Sequence, residues 1–318
     1  MHRGLKTIVV FLVACILLIC LWCLTFRLYP LELSSGPRHD GGCEMSIQAG
    51  IPKRIWTFWN SEKVPPVVAA CIGTWKRCCP GYEICVLTPE TLSDVLPNAR
   101  EILELPFANT PQRLADFIRL HVLYRHGGYW LDASIVLFGS LDVFGQQQKH
   151  LQSEYVGYYI DEFTRDEHAP IIENWFFGCV KESTCVGKWR DEFMRINQYS
   201  STLAYVDHIR MHGVRFEGIP HFLSYYLLMH VAAQVVIQRH AYPMDRCFLQ
   251  TAESGPLQYL ARNRWGSEKA IAWLVASVEQ EGSDMPLFVK LRKGERYIVA
   301  RDPYVLDALT RSSSSSTR

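Results

Sequence analysis

The chain has 318 residues, 48% of them hydrophobic, and 33 basic against 32 acidic residues give a formal net charge of +1. That much apolar matter buries the core of one catalytic-sized domain. With both charge signs interspersed, charge gives no ground for a nucleic-acid partner or for adhesion to an anionic membrane surface.

Residues 7–26 run without a charge, and about twenty helical residues at 1.5 Å each match the hydrocarbon core of a bilayer. One membrane helix is therefore expected. Arg3 and Lys6 precede it, whereas Arg27, Glu32, Arg38 and Asp40 mix signs beyond it, so residues 1–6 are expected to stay cytoplasmic. The run is longer than the apolar region of a cleaved signal peptide. A type II single-pass topology results, with the catalytic part in a lumen, Golgi or endoplasmic reticulum.

Residues 27–50, rich in Ser, Gly, Pro and charge, read as a stem. A globular domain is expected over 51–310, and the serine-rich 311–318 as a tail without a core. Three of the eleven cysteines, Cys15, Cys20 and Cys23, fall in the apolar run, leaving eight beyond it. An even number beyond the membrane is compatible with disulfides among Cys71, Cys78, Cys79, Cys85, Cys179 and Cys185, or with small buried side chains.

Within the domain, residues 54–59 suit a first buried strand and 67–76 a helix. A turn at Pro80 and Gly81 leads to a second strand at 82–87, and 88–95 begins another helix. Alternating strands and helices imply an α/β fold with a mostly parallel sheet, whose ligands gather beyond the carboxyl ends of the strands. Thr110 can cap a helix, Pro111 suits its first turn, and Gly127 with Gly128 ends it or permits a close approach. On that helix Gln112, Asp116 and Arg119 share the stripe opposite Leu114, Phe117, Ile118 and Val122. Residues 129–137 then read as one strand, with Asp132 and Ser134 on one face. A buried Asp132 needs a metal ion, an arginine or backbone donors. Residues 225–237 have the apolar density of a core helix, too short for a second span.

The segments Ile51-Pro-Lys-Arg-Ile-Trp-Thr-Phe-Trp59, Ala115-Asp-Phe-Ile-Arg119 and Tyr124-Arg-His-Gly-Gly-Tyr-Trp-Leu-Asp-Ala-Ser134 resemble sugar transferases of the capsular-polysaccharide-synthesis type. These are similar to the DxD-motif transferases of glycosyltransferase family 32, with a GT-A-like fold. The stretches 173–178 and 222–228 resemble later parts of the same family more loosely. The resemblance implies a nucleotide-sugar donor, a glycan or glycoconjugate acceptor and a divalent metal, Mn²⁺ or Mg²⁺. It further implies Trp56 beside the base, Asp116 and Arg119 on ribose, sugar or phosphate, and Asp132 with Ser134 at the metal. Arg119 and Asp132 are the expected catalytic pair; Gly127, Gly128 and Asn174 complete the expected binding set. Ser134 stands where many relatives carry a second carboxylate, so another ligand such as Asn174 or His221 is called for. Likeness to family 32 leans toward retention at the anomeric carbon. Asp161, Glu162 and Glu173 are candidate acceptor-side bases. A non-catalytic sugar-nucleotide binder and a two-carboxylate glycosidase are the rival readings.

Overall fold

In the computed structural model, which describes residues 49–280 and 285–311, Arg54–Phe58 forms β1. Its side chains alternate between two cores, Trp56 and Phe58 on one face and Ile55 on the other, as a period of two requires. Helix α1 (Pro66–Cys78) starts on proline, whose missing N–H would have lacked a partner in the first turn anyway. Strand β2 (Glu83–Leu87) follows. The helix expected over 88–95 is a single turn, Leu92–Val95.

Helix α2 (Pro111–His126) has the predicted ends: the Thr110 side chain accepts from Arg113 N at 3.2 Å, and Gly127, at φ 64°, closes it. After it come β3 (Gly128–Leu131), β4 (Ile135–Leu137), α3 (Asp142–Leu151), β5 (Tyr155–Tyr159), β6 (Ile172–Cys179), α4 (Thr184–Met194) and α5 (Thr202–Met211). The expected core helix is α6 (Leu228–Gln238), buried from Leu228 to Ile237. The chain continues through β7 (Cys247–Thr251), α7 (Ser267–Glu279), β8 (Phe288–Lys290), α8 (Lys293–Arg301) and α9 (Pro303–Thr310).

Six strands form one sheet in the order β2-β1-β3-β6-β5-β7. Only β6 runs against the others: it is antiparallel to β3 and β5, while β1 pairs with β2 and β3, and β5 with β7, in parallel. The sheet is thus mostly parallel, with an apolar core on each face and the α/β layering that two buried faces demand.

Residues 129–137 are not one strand. At Asp132 the chain leaves the sheet: Asp132 N donates to Trp175 O at 2.9 Å, and Ile135 N closes a turn on Asp132 O at 3.0 Å. Strand β4 then pairs antiparallel with β8 in a separate two-stranded sheet, Ile135 opposite Lys290. Apolar alternation continues across the turn, and alternation does not say which strand takes up the hydrogen bonds.

All seven described cysteines are free thiols, so of the two readings left open for Cys71, Cys78, Cys79, Cys85, Cys179 and Cys185, disulfides or packed side chains, the disulfides are not formed. Burial pushes the Cys71 thiol up to about 12, the behaviour of a packed side chain and not of a nucleophile. The expected membrane helix over 7–26 lies outside the described residues, as do all but the ends of the stem and tail. Among the described residues no helix is long and apolar enough to cross a membrane.

Two local devices hold the strands that matter below. Gly128 sits at φ 99°, and a Cβ there would meet Arg54 O at 2.6 Å; glycine alone lets β3 lie this close to β1. Gly128→Ala is expected to destabilise the protein by about 1–3 kcal/mol, read as a lower urea midpoint.

Just past β8, the fully buried Glu295 accepts from Arg292 N at 2.8 Å, from the Arg292 side chain and from Ser267 Oγ, anchoring the start of α8. Burial pushes its carboxyl up, but the bonds from Arg292 and Ser267 outweigh this and hold it below its usual value of 4.5. A lowered acid contributes stability above its unfolded value and loses it as pH falls through the folded value. Glu295→Gln should therefore flatten the fall in stability below pH 4.5 by up to about one proton in slope, measured by urea unfolding across pH.

Candidate functional site

Strands β1 and β3 run parallel, Ile55 opposite Tyr129 and Trp56 opposite Trp130, so their carboxyl ends open on one edge of the sheet. Because β6 runs the other way, its first residues arrive at that same edge, with Leu131 opposite Phe176. Asp132, Glu173 and Asn174 are thus neighbours despite their separation in sequence. Helix α2 lies against this edge and contributes Asp116 and Arg119, which are 9% and 4% exposed.

Arg119 is the hub. Its Nη2 lies 3.2 Å from Asp116 Oδ1 and 3.3 Å from Asp132 Oδ1. Its Nη1 donates to Asn174 O and its Nε to Ala115 O at 3.3 Å. The guanidinium lies over the Trp130 ring, 4.9 Å from its centre. Asp116 also accepts from Arg113 Nη1 at 3.1 Å and from Asn174 Nδ2 at 3.3 Å. The sequence placed Asp116 and Arg119 on a polar stripe facing away from the core. Instead both are buried, because α2 is covered on nearly all sides and each charge finds an opposite one.

Asp132 is held from three directions. Trp130 Nε1 donates to Oδ1 at 3.0 Å, Arg119 approaches the same oxygen, and Lys290 Nζ donates to Oδ2 at 2.6 Å. Lys290 also donates to Ser134 Oγ at 2.9 Å. Burial pushes the Asp132 carboxyl up, but Lys290 and Arg119 outweigh it and hold the group below its usual value. Asp116 is raised: burial there prevails over Arg119 and Arg113. Burial pulls Lys290 down while Asp132 opposes this. Next to Asn174, Glu173 Oε2 lies 3.2 Å from His230 Nε2 on α6.

Arg119, Asp116, Asp132, Ser134 and Asn174 therefore meet. Trp56 does not join them: it is 1% exposed and its Nε1 donates to Gly127 O at 2.9 Å, so it packs into the core with no ring face left for a base. Gly127 and Gly128 are also away from the cluster, at the amino end of β3. Their close approaches are to backbone, Lys181 N and Arg54 O, and serve packing. Asp161 and Glu162 are exposed beyond β5, where their backbone N–H groups donate to the Glu253 carboxylate. His221 is exposed in the short helix His221–Ser224.

Three residues escaped the sequence reading. Trp59, directly after β1, lines a pocket of about 540 Å³ together with Val67, Lys293, Arg296 and Tyr297; it lies three residues past Trp56 and packs toward the opposite core, as odd spacing in an extended chain dictates. Arg113 stands one turn before Asp116. Lys290 had a signal: it is the lone charge in the run Leu287-Phe-Val-Lys-Leu291, where a cation has to meet an anion.

The donor set does not fit a divalent metal. A Mg²⁺-type ion is held by one or two free carboxylates, with waters and substrate phosphates completing its shell. Here Asp132 has both oxygens engaged and Ser134 serves Lys290. The nearest second carboxylate, Asp116, is tied to two arginines and an amide. Among the described residues no group of three or more His, Cys, Asp or Glu is placed to hold a metal ion.

The sequence model of the capsular polysaccharide synthesis protein family matches residues 44–212, more than half of the chain, and the chain belongs to that family. It is similar to the O-glycosyltransferase PaGT of Phomopsis amygdali, 30% identical over 194 residues covering 52% of this chain and 45% of that protein. It is also similar to the glycosyltransferase afumC of Aspergillus fumigatus, 27% identical over 158 residues covering 44% and 39%. The chain thus spans less than half the length of these curated relatives. Among solved structures it overlays weakly on the PaToxG glycosyltransferase, with a TM-score of 0.39 and 13% identity over 82% of this chain and 86% of that one. A glycosyltransferase involved in glycosylation of the major capsid of PBCV-1 gives 0.38 and 9% over 79% and 97%.

Removing the hub deprives the buried Asp116 and the half-buried Asp132 of a shared partner at once. Arg119→Met is expected to lower stability by about 3–5 kcal/mol, measured by denaturant unfolding.

Proposed function

We propose that this chain is a glycosyltransferase that moves a sugar from a nucleotide-sugar donor to a glycan or glycoconjugate acceptor. The observation that carries the reading is the cluster of Arg113, Asp116, Arg119, Asp132, Asn174 and Lys290, with Asp116 and Arg119 buried at its centre, at the carboxyl edge of β1 and β3, in a chain of this family. The glycosyltransferase activities for which the two fungal relatives are named support it.

The cations suit phosphate oxygens. The pocket beside Trp59 combines an aromatic face with Lys293 and Arg296, a composition suited to a base followed by phosphates. In the reaction the bond between the anomeric carbon and the donor's phosphate oxygen breaks, and a bond from that carbon to the acceptor oxygen forms. The acceptor hydroxyl releases its proton, and a nucleoside diphosphate leaves. The barrier is lowered by positive charge fixed where negative charge grows on the departing phosphate, a part that falls to Arg119 and Lys290. The uncharged run over 7–26 supports a membrane anchor with the catalytic unit in a Golgi or endoplasmic reticulum lumen.

The test is nucleotide release by the full chain from a panel of UDP- and GDP-sugars, with and without Mn²⁺, beside Asp116→Asn. Release from one donor that falls by about 10²-fold or more in the variant is the expected result. Binding of a sugar nucleotide with no release, even when acceptor glycans are supplied, would instead make the chain a binding protein.

A further inference from the structure

The turn that carries Asp132 and Ser134 is the place where the family resemblance implies a divalent cation, and the structure puts a different cation there. Lys290 Nζ stands 2.6 Å from Asp132 Oδ2 and 2.9 Å from Ser134 Oγ. It bridges the first and third positions of the motif from a separate strand. We propose that the Lys290 ammonium takes the place of the divalent cation, so that the site binds and activates its donor diphosphate without metal. The inference deepens the glycosyltransferase reading and rests on it for the identity of the ligand.

Three observations carry it. The first is the donor set, since the carboxylate and hydroxyl of the motif already serve Lys290, and with Trp130 and Arg119 on the other oxygen no Asp132 oxygen is left free for a divalent ion. The second is charge. Arg113, Arg119 and Lys290 surround Asp116 and Asp132, Glu173 beside them is paired with His230, and the field of Arg296 also reaches Lys290. A further dication would meet repulsion here, whereas a diphosphate meets attraction. The third is valence. An ammonium has three hydrogens; Asp132 and Ser134 take two, which leaves one for a phosphate oxygen. Arg296 Nε is likewise buried without a hydrogen-bond partner among the described residues, on a residue that lines the Trp59 pocket.

Ser134 then has a reason to be a serine. A second carboxylate at that position would share Lys290 with Asp132 and cancel the positive charge the diphosphate requires. The hydroxyl orients the ammonium without neutralising it.

The experiment uses the full chain and two independent readouts. Mn²⁺ titration followed by electron paramagnetic resonance, without nucleotide, is run on the wild type, Asp132→Asn, Lys290→Met and the double variant. The wild type is expected to show no Mn²⁺ site that depends on Asp132 up to about millimolar metal, whereas Lys290→Met gains one that the double variant loses. UDP and GDP binding is measured by calorimetry in EDTA and in Mn²⁺. For whichever nucleotide binds, the wild-type Kd should agree in the two buffers within about twofold. Lys290→Met should weaken binding at least about tenfold in EDTA, with partial recovery in Mn²⁺, and Lys290→Arg should keep EDTA-insensitive binding.

A wild-type Mn²⁺ site lost in Asp132→Asn, or nucleotide binding that EDTA abolishes, would overturn the proposal, and both measurements stand even if Lys290→Met fails to fold. If neither nucleotide binds in any buffer, the glycosyltransferase reading fails, and the Mn²⁺ titration by itself decides whether Lys290 fills the cation's place.

Discussion

The architecture of this protein turns on one requirement: two carboxylates, Asp116 and Asp132, are taken largely out of water and have to be met by opposite charge. An uncompensated carboxylate in such a place costs several kcal/mol or loses its charge. Arg119 answers both at once, and its planar fork can do so because its nitrogens point in different directions. It reaches Asp116 one turn back on its own helix, Asp132 at the end of β3, and the backbone of Asn174 on β6. A helix, a parallel strand and the one reversed strand are thereby tied at a single guanidinium.

The sheet makes this convergence geometrically available. Parallel strands alone would bring β1 and β3 to a common edge, but the reversal of β6 adds residues from the start of a strand to the same place. The break at Asp132 does the rest. By leaving the main sheet there, the chain sends β4 off to pair with β8, and that pairing sets Lys290 beside the motif. The anchoring of α8 through Glu295 fixes the far end of β8.

Much of this was legible in the sequence, and the exceptions have physical causes. The ends of α2 were readable because Thr110, Pro111 and Gly127 each do one local thing well. That a buried Asp132 would need a partner such as an arginine was readable from its chemistry, whereas the burial of Asp116 and Arg119 was not, because their stripe read as polar. The face of Trp56 was misjudged because composition does not say which side of a strand a ring takes; Trp59, with the opposite parity, lines the pocket instead. Gly127 and Gly128 signal a close approach without saying to what, and it proved to be neighbouring backbone. The continuity of 129–137 was misread because β4 keeps its alternation while changing partners. Lys290 was missed because nothing local links it to a motif 158 residues earlier; only the pairing of β4 with β8 does.

That separation governs when the site can exist. The contacts of Arg119 with Asp116, Asp132 and Asn174 involve no residue beyond β6, although α2 also packs on α4 and Arg113 donates to Tyr226 O. Asp132 and Ser134 acquire their ammonium only after β8 has emerged and docked. Until then Arg113 and Arg119 face Asp116 and Asp132 two against two, and the third cation of the site arrives only through the long-range pairing of β4 with β8.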